Sequence, residues 1–344
     1  MDTSSTGTSR RELFSLIGKT AGAAAMWWWQ RPSPLHHAAI ENGVLIAYDF
    51  RGHVSWTFAS GGFERAPSYG SLSAFVQSDI DGDGSPEILV SRESAKENHD
   101  VVCLNASGTV RWTRPLGRPV RTAETVFDPP FRFRGLELLR GFPDGVPRIL
   151  VAAHHHMWHP AQTLLLDIHG NIISEYWHSG HLTTFALFDC NRDGHPELLA
   201  AGINQARKVA ELVVLDPFHM TGVSGEDNPG YQLLDMPRNV ERARVLFSRT
   251  ELGHLTAAYS VPVSIIPKRD SILLDVSESL GNGQPANSIA FELDRNLVLR
   301  EVAPSDYFNL TQTLLVREGK LKSISTPSQL RQQLKQTFLV TPKW

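Results

Sequence analysis

The sequence predicts an all-β fold, and within that class a β-propeller, on three observations. From Val44 onward, short apolar runs are cut by Gly, Pro, Asn and Asp, the punctuation of strands and tight turns. Two stretches, Ser78 to Val90 (SDIDGDGSPEILV) and Phe188 to Gly202 (FDCNRDGHPELLAAG), repeat one turn chemistry. Hairpin-like units recur along the chain, and four strands per repeat of roughly 40 to 60 residues is the unit of a propeller blade.

One unit reads as an outer hairpin. It occurs at 45 to 58, 101 to 115, 163 to 177, in loosened form at 211 to 223, and in degenerate form at 289 to 302. Each copy ends a strand on Asp49, Asn105, Asp167, Asp216 or Asp294, and most follow it with a turn residue. Asp and Asn side chains bond their own backbone in a turn, and Gly accepts positive φ. A second unit reads as an inner hairpin, near Ser73 to Ser91, Gly135 to Ala153, Phe185 to Gly202 and Arg244 to Ile266. Aligned on Gly84, Gly145, Gly194 and Gly253, these copies are 61, 49 and 59 residues apart.

This pairing leaves 45 to 58 without an inner partner ahead of it and 310 to 324 (LTQTLLVREGKLKSI) without an outer partner behind it. The expectation is that the two pair, closing a five-bladed ring with N- and C-terminal strands and removing exposed sheet edges. Six or seven blades stay open, because VPVSII and SILLDV between Tyr259 and Ser277 add strand-like runs. Ser328 to Phe338 reads as a short amphipathic helix, with Ser328 as N-cap and Leu330, Leu334 and Phe338 on one face. The domain expectation is an export signal or membrane anchor at 1–29, a linker at 30–40, the propeller at 41–326, and a helix with its tail at 327–344.

The 344 residues are 41% hydrophobic and 20% charged with a formal net charge of -3, which gives ample core and no electrostatic footprint for nucleic acid. Cys103 and Cys190 are the only cysteines, which excludes a disulfide framework; both are expected as buried thiols, with a single bridge between them left open. Arg10-Arg11 ahead of the weakly apolar run Leu16 to Trp29 resembles a twin-arginine export signal, with Ala23-Ala24-Ala25 as a small-residue cleavage site. Lys19 and Trp27-Trp28-Trp29 depart from that pattern and suit a retained anchor, while a cytoplasmic start is the third reading. Export, to the periplasm or beyond, is the expected localisation.

The acidic loops carry the chemistry. Asp79, Asp81, Asp83 and Glu87 in the first, and Asp189, Asn191, Asp193 and Glu197 in the second, place alternating oxygen ligands on a compact turn, which suits a hard cation such as Ca2+. An EF-hand is excluded, because position 12 counted from Asp79 is Val90 and Pro86 leads into a strand. The aligned positions Arg140, Phe142, Asp144 and Arg148, and Ser248, Thr250, Leu252 and Ala257, cannot form such a ligand set. His154 to His159 (HHHMWH) is the other unusual run; with His178 or His181 it is a weaker transition-metal candidate, since consecutive residues of a strand face opposite ways. No dinucleotide fingerprint, nucleophile elbow or zinc-protease motif occurs.

On these residues the acidic loops resemble the FG-GAP/VCBS repeats of integrin α-subunits and many exported bacterial proteins. The outer hairpins, through Ala47-x-Asp49-x-x-Gly52-x-x-x-Trp56 and Cys103-x-Asn105-x-x-Gly108-x-x-x-Trp112, look like quinoprotein-type repeats, whose tryptophan wedges between blades. The resemblance implies a propeller with calcium in some blades and no particular activity. The leading functional expectation is an exported, monomeric calcium-binding module for a protein or polysaccharide. A quinone-dependent dehydrogenase, a polysaccharide lyase and an envelope-complex scaffold are the alternatives.

Overall fold

In a computed structural model the chain is described at residues 35–59, 71–93, 98–281, 284–334 and 336–344. The expected export segment and the start of the expected linker lie outside the described residues. Among the described residues, twenty-three strands and three short helices make an all-β fold, and five consecutive antiparallel meanders form its body. The first sheet holds β1 (Leu35–Glu41), β2 (Val44–Asp49) and β3 (Val54–Ala59). Asn42-Gly43 joins β1 to β2 with φ of 51° and 76°, the positive pair that a two-residue hairpin turn needs. The second sheet holds β4 (Phe75–Ser78), β5 (Glu87–Glu93), β6 (His99–Leu104) and β7 (Val110–Pro115). A ribbon of β8 (Val120–Arg121) and β9 (Val126–Phe127) leads to the third sheet, β10 (Phe131–Leu139), β11 (Arg148–His155), β12 (Ala161–Leu166) and β13 (Ile172–His178).

The fourth sheet begins with β14 (His181–Phe188), β15 (Glu197–Asn204) and β16 (Val209–Leu215). There the outer hairpin expected at 211 to 223 does not form. The chain leaves at Asp216, pairs β17 (Gly222–Val223) in parallel with β13, and returns as β18 (Glu241–Phe247) beside β16. The inner hairpin expected from Arg244 to Ile266 is therefore divided between two sheets. Between them lies α1 (Glu251–Thr256), whose N-cap Thr250 accepts the Gly253 amide. The fifth sheet holds β19 (Val261–Pro267), β20 (Ser271–Gly281), β21 (Gln284–Asp294) and β22 (Leu299–Pro304), so VPVSII and SILLDV are its first two strands and not a further unit.

The ring closure expected from residues 310 to 324 is overturned. That stretch lies in and after α2 (Asp306–Arg317), capped by Ser305, with Asp306 in its first turn and Arg317 in its last, both favourable to the helix dipole. Phe308 and Gln312, four apart, are its buried residues, a helical spacing. The N-terminal hairpin instead pairs with β1, whose residues 35 to 40 lie within the expected linker. The C-terminal helix forms as α3 (Pro327–Gln333), capped by Thr326 in a capping box with Gln329, rather than by Ser328. Leu330 and Leu334 are buried as expected, but Phe338 belongs to β23 (Gln336–Val340), which adds to the edge of the fourth sheet beside β18.

The sheets share one local geometry. In all five, the last two strands (the second and third of the first sheet, the third and fourth of the others) pair with a bulge at the equivalent place, around Ser55, Arg111, Ile173, Arg242 and Arg300. Successive sheets are also linked alike. Trp56 Nε1 donates to the Ala106 carbonyl at 2.9 Å, Trp112 Nε1 to that of Ile168 at 3.0 Å, and Ser174 Oγ to that of Pro217. Each acceptor directly follows the turn residue Asn105, Asp167 or Asp216 of the next sheet. Those turn carboxylates and amides do the work expected of them: Asp49 Oδ1 accepts the Arg51 and His53 amides, Asn105 Oδ1 those of Ser107 and Thr109, and Asp167 Oδ1 those of His169 and Asn171. Four apolar clusters fill the spaces between the first and second, second and third, third and fourth, and fourth and fifth sheets. Among the described residues, no such cluster joins the first sheet to the fifth.

Candidate metal centre

The first acidic loop connects β4 to β5. Asp79 Oδ1 and Oδ2 accept the Gly82 and Gly84 amides at 2.7 and 2.9 Å, Asp81 Oδ1 accepts that of Asp83 at 3.3 Å, and Asp83 Oδ1 that of Ser85 at 2.7 Å. Glu87, the first residue of β5, is buried, and its Oε2 accepts the Ile80 amide at 3.1 Å. This wrapping draws one carboxylate oxygen each from Asp79, Asp81 and Glu87 to within 4.8 Å of one another. Among the His, Cys, Asp and Glu side chains of the described residues, this is the only group of three so placed. Asp83 is not part of it.

A cation already answers this charge. Arg111, at the bulge of β7, sets Nη1 2.8 Å from Asp81 Oδ2 and 2.7 Å from Glu87 Oε1. Its hydrogen bond holds the Asp81 carboxyl below the usual carboxylate range, whereas burial pushes that of Glu87 up. Sequence reasoning missed Arg111, because a contact from the fourth strand to the loop before the second is non-local. The readable trace was a cation at the same offset in a hairpin, beside Trp112.

The second loop, between β14 and β15, repeats the wrapping with different ligands. Asp189 accepts the Asp193 and Gly194 amides at 3.2 and 3.0 Å, Asn191 Oδ1 that of Asp193 at 2.9 Å, and Asp193 Oδ1 that of His195 at 2.7 Å. Buried Glu197 accepts the Cys190 amide through Oε2 at 2.8 Å, the counterpart of Glu87 and Ile80. Arg242, again at a bulge, lies 3.7 Å from Glu197 Oε1. Arg192 takes φ of 64° where the first loop has Gly82, and Arg295 donates to the Asp189 carbonyl. The loop before β11 closes without a ligand set, through an Asp144–Arg148 ion pair.

The histidine run divides where β11 ends. His154 and His155 are buried at the end of β11, while His156, Met157 and Trp158 are exposed. His154 stacks on Trp158 at 5.0 Å and lies 4.9 Å from His181, so the partner expected from the next repeat is adjacent. Burial pushes the His155, His159 and His181 imidazoles below their ordinary pKa, His181 the furthest. His178 belongs to a separate network between the third and fourth sheets. There Glu211 accepts from His178 Nε2 at 3.1 Å and from Arg244 Nε, while Asn204 Nδ2 lies 3.2 Å from both Glu211 and Glu226. His178, Glu211 and Arg244 are each 0% exposed, so this network fastens two sheets and meets no solute. Cys103 and Cys190 are buried free thiols.

No family model matches the chain, and no curated protein matches it. Among solved structures, the Dos1 propeller superposes with a TM-score of 0.39 and 11% identity, over 80% of this chain and 68% of that one. A eukaryotic initiation factor gives 0.31 and 9%, over 78% and 62%. The V. cholerae biofilm matrix protein Bap1 gives 0.27 and 16%, over 74% and 42%. These likenesses are too loose to carry an argument; the propeller-like character of the fold rests on its own succession of meanders.

Proposed function

We propose that the chain is a five-bladed β-propeller of the FG-GAP/VCBS type, working outside the cytoplasm as a binding module for a protein or polysaccharide, with Ca2+ at its first acidic loop. The convergence of Asp79, Asp81 and Glu87 carries the reading. Three carboxylate oxygens with a guanidinium against two of them form a donor set suited to a hard divalent cation, with Arg111, 30% exposed at its side chain, able to swing out as the ion enters. The second loop follows as a weaker site, because Asn191 replaces a carboxylate and Arg295 engages the Asp189 carbonyl. The blade count is supported by five equivalent bulges and by the repeated contact from one sheet to the turn of the next. Export is supported by Arg10-Arg11 in the sequence.

Thermal unfolding tests the calcium part. Calcium at about 100 times its dissociation constant adds about 2.7 kcal/mol by linkage, so chelator-stripped protein should gain several degrees on adding Ca2+. Asp81→Ala should remove most of that gain. A melting temperature unmoved by chelator and then by excess calcium rejects the site.

A further inference from the structure

The second acidic loop, the turn before β11 and the turn after β16 enclose a cavity of about 250 Å3. We propose that this cavity binds the primary ammonium of a lysine side chain on a partner polypeptide. The inference rests on the binding-module reading and names the chemistry of the partner.

The floor is aromatic. Phe142 and Phe218 meet edge to face at 5.3 Å, Phe142 buried and Phe218 37% exposed. The polar wall carries Asp193, Glu197 and Asp216 against the guanidinium of Arg242, while that of Arg148, paired with Asp144, lies 5.7 and 5.6 Å from the Phe142 and Phe218 ring centroids; the carboxylates remain in excess. Glu197 is 2% exposed, and its Oε2 is occupied by the Cys190 amide. Its Oε1 has no hydrogen bond among the described residues: Arg242 Nη1, at 3.7 Å, lies beyond bonding distance because Nη2 is drawn to Asp216 at 2.6 Å. A carboxylate oxygen that lines a cavity with an ion pair but no hydrogen-bond donor is able to accept one.

The free acceptors are single rather than paired. Asp193 already accepts from the His195 amide and from Asn191 Nδ2, and Asp216 from the Phe218 amide and Arg242. A guanidinium fork needs two parallel oxygens of one carboxylate, whereas an ammonium sends three separate donors to single oxygens on different residues. Its four-carbon stem would lie along Phe218, where apolar contact favours it.

The test is saturation-transfer NMR on the full chain at pH 7.5 with chelator present, using the end-capped peptide Gly-Gly-Lys-Gly-Gly. Transfer to the lysine methylenes is expected, with the Nε-acetylated peptide silent and the arginine peptide weaker. Glu197→Gln keeps an oxygen for the Cys190 amide and should weaken binding about tenfold, as loss of a hydrogen bond to a charged group implies. Asp193→Asn and Phe218→Ala, on exposed positions, should weaken it with an unchanged melting curve. Equal signal from the acetylated peptide, or unaltered binding by all three variants, overturns the inference. A calcium response at Asp81 without lysine binding would reject this inference and leave the calcium reading standing; lysine binding without a calcium response would do the reverse.

Discussion

Gly52, Gly108 and Gly170 occupy the same hairpin turn in the first three sheets with φ of 79°, 82° and 79°, yet their surroundings differ. A Cβ on Gly52 would meet nothing within 4 Å. On Gly108 it would lie 2.7 Å from a ring carbon of Trp56, and on Gly170 2.6 Å from one of Trp112. Alanine at such a φ costs about 1 to 2 kcal/mol in backbone strain at each site. At Gly108 and Gly170 the indole must also be displaced, an overpacking cost of about 1 to 3 kcal/mol more. Urea unfolding followed by circular dichroism should therefore order the variants with Gly52→Ala well above Gly108→Ala and Gly170→Ala in midpoint. Adding Trp56→Ala to Gly108→Ala should return the packing part as a favourable coupling energy. Three equal costs, or a double variant that is simply additive, would refute the claim that each tryptophan seats on the next sheet's turn.

Glu211→Gln removes the nearer of the two carboxylates of the fully buried Arg244, leaving Glu226 at 3.5 Å, and should cost up to about 3 to 5 kcal/mol in urea unfolding; a loss under about 1 kcal/mol would mean the network does not fasten the sheets. The lowered imidazole of His181 gives a pH signature. Above about pH 6.5 neither state is protonated and the ring is silent; below it the unfolded chain takes a proton that the folded ring refuses, so stability falls with pH. The raised carboxyls of Glu137, Glu241 and Glu278 act in the opposite sense, so the useful measurement is the difference between wild type and His181→Gln. Wild type should lose up to about 1.4 kcal/mol per pH unit relative to the variant between pH 6.5 and 5, and parallel curves would refute it.

What the sequence revealed was local. The turns at Asp49, Asn105 and Asp167 were readable because one side chain and two amides within the next four residues determine them, and the wrapping of both acidic loops followed for the same reason. What it concealed was pairing between distant segments. Residues 241 to 247 complete a sheet begun 60 residues earlier, after an excursion through β17 that no periodicity marks. Thr311 to Val316, rich in Thr, Leu and Val, is β-compatible, and only Ser305, Asp306 and Arg317 around it signal a helix. The ligand roles of Asp79, Asp81 and Glu87 were visible as a pattern, whereas Arg111, which shares their charge, reaches them from a bulge in a strand that does not border β5.

The central claim, that the first acidic loop exchanges its own guanidinium for a metal ion, is tested most directly by long-wavelength anomalous scattering from crystals grown with calcium. A peak among Asp79, Asp81 and Glu87, with the Arg111 side chain turned out to solvent, is the expected result. An empty loop with Arg111 still bridging Asp81 and Glu87 at saturating calcium would contradict it.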